Sequence, residues 1–258
     1  MFDPTSAPLL HPAPATAIAV ERHTFPTAAG PLDVDLYRPP PATRPPPVAV
    51  IVNGYPDAGL TAMFGKPLAA WRGYQDWARL LAAAGVAVAL YQNRAPDDVA
   101  DLLAHLRAHG AGLGVDGGRV GLVAASGHAA LALALVARAP VAAAALLYGY
   151  TLDLDGDTAV ADAARQFRFA APPVELAALP PTPLLVVRAG ADALPGLLRA
   201  LDRFTAAAAA RGLPVAVLDV PDAPHGFDTV DDRPATRAAI AAVVRFMADR
   251  LAAAAPGR

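Results

Sequence analysis

The stretch Arg119-Val120-Gly121-Leu122-Val123-Ala124-Ala125-Ser126-Gly127-His128-Ala129-Ala130 (residues 119–130) passes from an apolar run through a serine into a helical pattern that continues to Ala137. The apolar run predicts a buried strand, and the small residues around Ser126 allow a sharp turn from that strand into the helix. Such a turn holds a serine in a strained conformation with its hydroxyl projecting from the sheet. Ser126 is therefore a candidate nucleophile, with a plain helix N-cap as the alternative for this residue taken alone.

The alternation of strands and helices extends on both sides of Ser126. Segments 18–25 and 31–38 predict two strands of an antiparallel hairpin. Apolar runs predict further strands at 48–52, 86–91, 120–123, 141–147, 183–188 and 214–219. Helices are predicted at 66–84, from Pro96, at 126–137, at 195–211 and at the C-terminal end. The predicted fold class is α/β, with a mostly parallel central sheet, helices on both faces and an N-terminal antiparallel edge hairpin.

Composition and charge argue against several classes of protein. The chain has 258 residues, is 55% hydrophobic and carries a net charge of -2 without a Lys/Arg cluster, which argues against a nucleic-acid-binding surface. Cysteine is absent, so disulfides, thiolate metal sites and a cysteine nucleophile are excluded. No apolar stretch reaches the ~18 residues that crossing a membrane requires. The N-terminus lacks the pattern of a signal peptide, so a soluble cytoplasmic protein is expected.

The domain organisation is predicted to be simple. Residues 1–17 are interpreted as a Pro-rich N-terminal tail, and residues 18–258 as a single domain. Within that domain, segment 151–179 is less regular than its surroundings. It is interpreted either as a small lid or as a plain surface connection.

Two further residues follow predicted strands in the order that a serine hydrolase requires. Asp192 follows the apolar run 183–188, and His225 follows the run 214–218. A serine needs a base to remove its proton, and the base needs a carboxylate that fixes its tautomer. Because the carboxyl ends of parallel strands meet at one edge of a sheet, Ser126, Asp192 and His225 are predicted to converge as a catalytic triad.

These motifs resemble the α/β-hydrolase superfamily, especially its small esterase and dienelactone-hydrolase-like branches. The Gly-x-Ser-x-Gly elbow of the superfamily corresponds here to Ala124-x-Ser126-x-His128, in which histidine replaces the second glycine. The tripeptide His225-Gly226-Phe227 closely resembles the loop of the catalytic histidine. The resemblance implies that His225 is the base and Asp192 the acid. Some relatives place the acid one strand earlier, and the rival acids in this chain are Asp153, Asp155 and Asp157.

The resemblance also implies an oxyanion hole made of two backbone amides. One is the amide of Gly127, the residue after the nucleophile. The other is expected from Asn53-Gly54-Tyr55-Pro56-Asp57, which resembles the His-Gly-x-Pro turn of related hydrolases with asparagine in place of histidine. The amide of Tyr55 is the candidate, with that of Gly54 next.

Residues that follow or neighbour these loops are predicted to line a substrate pocket. They are Gly54, Tyr55, Phe64, His128, Phe167 and Phe227. His128 is interpreted either as a residue of the site or as a packed, hydrogen-bonded brace of the elbow. Trp71, Tyr74 and Trp77, on one predicted helix, are interpreted as core.

The function predicted from these residues is hydrolysis of small to medium, neutral carboxylic esters through an acyl-enzyme. A lactonase, an acyl transferase and a peptidase are the alternatives on the same triad, and a catalytically silent hydrolase-like binding protein is the alternative of a different class. No metal or organic cofactor is expected, since His105 and His109 lack a third ligand. The expected partner is a small-molecule ester or lactone, with neither nucleic acid nor membrane, and the expected state is a monomer or homodimer.

Overall fold

The computed structural model describes residues 3–253, so residues 1, 2 and 254–258 of the predicted tail and domain lie outside it. Within residues 3–253, the strands form one sheet with the order β1-β2-β4-β3-β5-β6-β7-β8. The strands are β1 (Ala19–Phe25), β2 (Leu32–Arg38), β3 (Pro47–Ile51), β4 (Ala87–Tyr91), β5 (Asp116–Ala125), β6 (Ala143–Leu147), β7 (Leu184–Ala189) and β8 (Val215–Val220).

The sheet is parallel from β4 to β8 and antiparallel at one edge. The pairs β1–β2 and β2–β4 are antiparallel, and the pairs that join β4, β3, β5, β6, β7 and β8 are parallel. This architecture confirms the predicted mostly parallel sheet with an N-terminal antiparallel edge hairpin. In the parallel part, the carboxyl ends of the strands lie along the same edge of the sheet, where ligands bind in open α/β folds.

Both faces of the sheet are covered. Every residue of β3, β4 and β6 is buried, as expected for parallel strands with helices on both sides. Successive β3 residues belong to different faces: Val48 and Val50 lie in one apolar cluster, whereas Ala49 and Ile51 lie in the other. This alternation follows from the two-residue repeat of a strand.

The helices surround the sheet, and their bounds correct the sequence prediction. They are α1 (Asp57–Phe64), α2 (Arg72–Ala83), α3 (Asp98–His109), α4 (His128–Arg138), α5 (Ala159–Phe167), α6 (Leu197–Ala210), α7 (Phe227–Val230) and α8 (Pro234–Ala253). The single helix predicted over 66–84 is wrong. The backbone is extended at Pro67, forms a 3₁₀ turn over Leu68–Ala70 and is extended again at Trp71, so α2 begins only at Arg72. The residue before a proline is biased away from the helical region. The sequence analysis does not predict α5, α7 or α1, and α1 is followed by Gly65 with a φ of 79°.

The N-terminal segment 3–17 contains no strand and no α-helix, and part of it packs against the domain. Leu9 is buried, and the backbone N–H of Leu10 donates to the carbonyl of Asp228 at 2.7 Å. The segment therefore reaches the region near the loop of His225. Among the helices of residues 3–253, none combines the length and the apolar character needed to cross a bilayer.

Candidate active site

Ser126 lies at a tight turn between β5 and α4. Its φ is 54°, in the left-handed region that a residue with a side chain rarely adopts, and its backbone N–H donates to the carbonyl of Leu147 at 2.9 Å. Gly127 is needed at the next position, because a Cβ there would lie 2.5 Å from the ring of Phe169. The turn has the strained geometry that the sequence predicted for a nucleophile.

Asp192 and His225 are brought together because their loops are bonded to each other. The N–H of Gly190 donates to the carbonyl of Val220, and the N–H of Ala191 donates to that of Ala223, both at 2.9 Å. A Cβ on Gly190 would lie 2.2 Å from the carbonyl oxygen of Pro221. Glycine at position 190 is therefore required for the close approach that sets the carboxylate beside the imidazole.

The three predicted triad residues form a continuous hydrogen-bonded relay. The distance from Ser126 Oγ to His225 Nε2 is 2.9 Å, and that from His225 Nδ1 to Asp192 Oδ2 is 2.6 Å. The Asp192 side chain is fully buried, and its Oδ1 accepts a hydrogen bond from the N–H of Leu194 at 2.9 Å. With Nδ1–H donating to the carboxylate, Nε2 is free to accept the serine proton.

The rival acids lie in other interactions. Asp153 accepts hydrogen bonds from two backbone N–H groups at the start of α5, and Asp157 pairs with Arg199 and Arg203. Arg199 holds the pKa of Asp157 at about 2, the first cause being its hydrogen bond to the carboxylate. Asp155 is exposed. The relay to His225 uses Asp192.

Backbone groups of the loop after β3 are hydrogen-bonded within the protein. The N–H of Gly54 donates to His128 Nδ1 at 2.7 Å, and the N–H of Tyr55 donates to Asn53 Oδ1 at 3.0 Å. The carbonyl of Gly54 accepts from the N–H of Ala170 at 2.8 Å. By contrast, the N–H of Gly127 has no hydrogen-bond partner within residues 3–253. Of the predicted oxyanion donors, Gly127 is free in this structure, whereas Tyr55 and Gly54 are engaged.

His128 braces this loop from the first turn of α4. Its side chain is buried, with a relative exposure of 3% for the residue, and the rings of Tyr55 and Tyr74 contact it edge-on at centroid distances of 5.2 and 6.1 Å. Burial lowers the pKa of His128 to about 3. The imidazole is therefore neutral at pH 7, and Nδ1 acts as the acceptor while Nε2 carries the proton.

Acid is expected to destabilise the protein through His128. The group has a pKa of about 3 when folded and 6.5 as a reference value, so between these values the unfolded chain binds a proton that the folded chain does not. Lowering the pH from 7 to 4 should therefore reduce the free energy of unfolding by about 3 kcal/mol through this residue. Urea unfolding at both pH values measures the loss.

His128→Asn is the matched variant, because an asparagine Oδ1 can still accept the Gly54 N–H but does not titrate. The loss between pH 7 and pH 4 should be smaller in this variant than in the wild type by the same ~3 kcal/mol. Substitution by asparagine of His11, which is half-buried in the N-terminal segment, should leave the acid-induced loss of stability as it is in the wild type. An equal acid loss in the wild type and His128→Asn would show that the buried imidazole does not govern it.

A cavity of about 530 Å³ opens beside Ser126 and His225. Of the residues predicted to line a pocket, Tyr55, Phe64, His128 and Phe167 are on its wall. Gly54 and Phe227 are not: Gly54 faces the backbone of Gly127 and His128, and Phe227 is buried against the ring of Tyr148 at 5.5 Å. Burial raises the pKa of Tyr55 to about 12, so its hydroxyl stays protonated.

Sequence reasoning missed part of the wall. The sequence predicts Trp71, Tyr74 and Trp77 to be core residues. Trp77 is buried, but all three line the cavity. Asp228 was also missed; its carboxylate accepts hydrogen bonds from Trp77 Nε1 at 2.8 Å and from the Tyr148 hydroxyl at 2.7 Å. The signal that could have found Asp228 is its position three residues after the catalytic-histidine candidate.

The segment 151–179, interpreted from the sequence as a small lid or a surface connection, covers one side of the site. Its Gln166, Phe167 and Arg168 line the cavity, and Phe169 packs on Gly127. Whether the segment moves as a lid stays a prediction. No group of three or more His, Cys, Asp or Glu side chains within residues 3–253 is arranged to hold a metal ion.

Neither a protein-family model nor a curated protein sequence matches the chain. Solved structures do match. A thermostable esterase from Pseudomonas putida ECU1011 superposes with a TM-score of 0.68 at 17% identity, over 93% of this chain and 86% of that chain. A bacterial heroin esterase gives 0.69 at 16%, over 94% and 87%, and an esterase of Pyrobaculum calidifontis gives 0.68 at 20%, over 95% and 88%. With its mostly parallel eight-stranded sheet and antiparallel edge, the chain therefore has the α/β-hydrolase fold.

Proposed function

We propose that this protein is a serine hydrolase that cleaves carboxylic esters of small to medium size. The observation that carries the proposal is the relay from Ser126 Oγ to His225 and Asp192, with distances of 2.9 and 2.6 Å, beside an aromatic-lined cavity. The fold alone does not define a reaction, because one fold hosts many activities. The relay supplies the nucleophile, base and acid that acyl transfer to serine requires.

The proposed acylation proceeds as a nucleophilic addition. His225 Nε2 removes the proton of Ser126 as Oγ forms a bond to the ester carbonyl carbon, and the carbonyl electrons move to the oxygen. When the tetrahedral intermediate collapses, the ester C–O bond breaks and the imidazolium gives its proton to the departing alkoxide. Asp192 supports the positive imidazole. Water then repeats the sequence on the acyl-enzyme and releases the acid.

The tetrahedral oxyanion needs hydrogen-bond donors, each typically worth roughly 10²–10³ in rate. The unengaged N–H of Gly127 is the first. The N–H of Tyr55 is the second in this proposal, and it must leave Asn53 Oδ1, which it contacts at 3.0 Å, to reach the oxyanion. The exchange is favourable in direction, because a hydrogen bond to an anion is stronger than one to a neutral amide oxygen.

The structural neighbours support an ester as the substrate class. The three named above are esterases, and a carboxyl esterase from Tuber melanosporum also matches, with a TM-score of 0.65 at 19% identity. These names describe the neighbours themselves. An ester is proposed as the substrate of this chain because the chain shares their fold and contains the relay of Ser126, His225 and Asp192. A cytoplasmic location, a monomer or homodimer, and independence from cofactors stay predictions from the sequence.

A substrate panel combined with covalent labelling tests the proposal. Purified protein is expected to hydrolyse p-nitrophenyl butyrate faster than dihydrocoumarin, a lactone, and than an aminoacyl p-nitroanilide. A fluorophosphonate should label the protein once and abolish the activity. Faster turnover of the lactone or the anilide would replace esterase by lactonase or peptidase. Failure of the folded protein to react with the fluorophosphonate would favour a silent binding protein.

A further inference from the structure

The buried carboxylate of Asp228 borders the proposed substrate cavity. Asp228 lines the cavity, and the residue has a relative exposure of only 3%. It does not belong to the relay, because Asp192 is the carboxylate that contacts His225. A buried charge is costly unless it is paired and hydrogen-bonded, so the groups that contact the Asp228 carboxylate decide which ligand it can bind.

The partners of Asp228 within residues 3–253 are neutral. Trp77 Nε1 donates to Oδ2, and the Tyr148 hydroxyl donates to Oδ1, whereas no Lys or Arg nitrogen lies within 4.0 Å of the carboxylate. Burial raises the pKa of Asp228 above its ordinary value, although the hydrogen bonds from Trp77 and Tyr148 and, when His225 is protonated, the charge of its imidazolium act in the opposite direction. The two donors each take one of several acceptor positions, so the carboxylate retains capacity for a cationic partner.

Aromatic side chains surround the same cavity. The lining rings besides the two histidines are Tyr55, Phe64, Trp71, Tyr74, Trp77, Tyr148 and Phe167. Phe64, Trp71 and Tyr74 form a continuous wall, with centroid distances of 5.1 Å between Phe64 and Trp71 and 6.1 Å between Trp71 and Tyr74. Aromatic faces attract cations through the ring quadrupole, and tryptophan does so most strongly.

We propose that the cavity binds the ammonium group of a positively charged ester, with the Asp228 carboxylate and the aromatic wall as its recognition site. The ester part of this inference rests on the proposed esterase function. The positively charged substrate replaces the neutral substrate that the sequence predicts. A trimethylammonium head matches the site because its methyl groups pack on aromatic rings while its charge is paired with the carboxylate.

One cationic side chain at the cavity has to be weighed against this charge pattern. Arg168 also lines the cavity, but it is exposed. Solvent screens its charge strongly, whereas the field of a buried carboxylate is screened much less. The ionised Asp228 carboxylate therefore favours a cation inside the cavity more than the exposed Arg168 opposes it.

Binding to a variant without the nucleophile tests the inference independently of turnover. In the Ser126→Ala background, titrate phenyltrimethylammonium and its neutral isostere tert-butylbenzene. The readout is the fluorescence of Trp71 and Trp77, the two tryptophans of the chain, both of which line the cavity. Adding Asp228→Asn should weaken binding of the cation by about tenfold or more and change that of the isostere by less than about threefold.

Two further variants make the result specific. Asp222→Asn removes an exposed negative charge six residues before Asp228 in the chain and should leave both affinities unchanged. Trp71→Leu keeps an apolar wall but removes a ring, and it should weaken the cation about threefold more than the isostere, with Trp77 as the remaining reporter. If Asp228→Asn does not fold, the Trp71→Leu variant still tests the proposed site.

The kinetic form of the test uses the wild type with choline butyrate and 3,3-dimethylbutyl butyrate, which differ in the charged nitrogen. Asp228→Asn should lower kcat/KM for the choline ester about tenfold relative to the neutral ester. Equal effects of Asp228→Asn on the charged and neutral ligands, in binding or in kcat/KM, would overturn the inference. In that case hydrolysis of the neutral ester would still uphold the esterase proposal.

Discussion

Replacement of Ser126 by alanine is expected to lower kcat for p-nitrophenyl butyrate by roughly 10⁴-fold or more. In the proposed mechanism the Ser126 hydroxyl oxygen bonds to the ester carbon, and His225 Nε2 is hydrogen-bonded to this oxygen at 2.9 Å. Alanine removes the nucleophile and leaves the imidazole and carboxylate in place. Residual activity would come from substrate binding and from the backbone amides of the proposed oxyanion hole, those of Gly127 and Tyr55.

The chain offers an unusually direct control, because it contains two serines, Ser6 and Ser126. Ser6 lies in the N-terminal segment, is exposed, and donates to Asp3 Oδ2 at 2.6 Å. Ser6→Ala should keep wild-type kcat and KM. An unchanged kcat of Ser126→Ala would refute Ser126 as the nucleophile, whether or not Ser6→Ala loses activity.

Replacement of Asp192 by asparagine is expected to lower kcat roughly 10³- to 10⁴-fold at pH 7 with little change in KM. The Asp192 carboxylate lies 2.6 Å from His225 Nδ1, and in the proposed mechanism it fixes the proton there and stabilises the imidazolium that forms in acylation. An asparagine amide can instead donate to Nδ1, which would move the proton to Nε2 and abolish its capacity to accept from serine. The loss should therefore be in the chemical step rather than in binding.

Asp157→Asn is the matched control, since Asp157 is one of the rival acids and lies in an ion pair with Arg199. Its kcat should stay within about threefold of the wild type, because the Asp157 carboxylate accepts its hydrogen bonds from Ala159, Arg199 and Arg203 and not from a residue of the relay. The reverse result, with a large loss in Asp157→Asn and a small loss in Asp192→Asn, would assign the acid to the earlier strand.

The local signals in the sequence were sufficient to predict the sheet and to place Ser126, Asp192 and His225 together as candidate site residues. Strand runs separated by helical patterns determine a parallel sheet, and the order Ser126, Asp192, His225 places all three at the same strand ends. The turn at Ser126 could be predicted because its small neighbours and the following helix lie next to it in the chain. These features depend on short-range patterns that a single sequence contains.

The finer features of the site depend on contacts between distant segments and could not be predicted in the same way. His128 meets Gly54 across 74 residues of chain, and Trp77 meets Asp228 across 151. Apolar periodicity marks Trp77 as buried but does not distinguish a core from a cavity wall. For the same reason the sequence could not show that Asn53 already occupies the Tyr55 N–H.

The most direct test of a covalent mechanism is mass spectrometry of protein quenched in acid during turnover of p-nitrophenyl butyrate. The relay predicts a population heavier by one butyryl group, with the group on the peptide that contains Ser126, and no such population in Ser126→Ala. A butyryl group on any other residue, or turnover without acylated protein together with undiminished activity of Ser126→Ala, would contradict it.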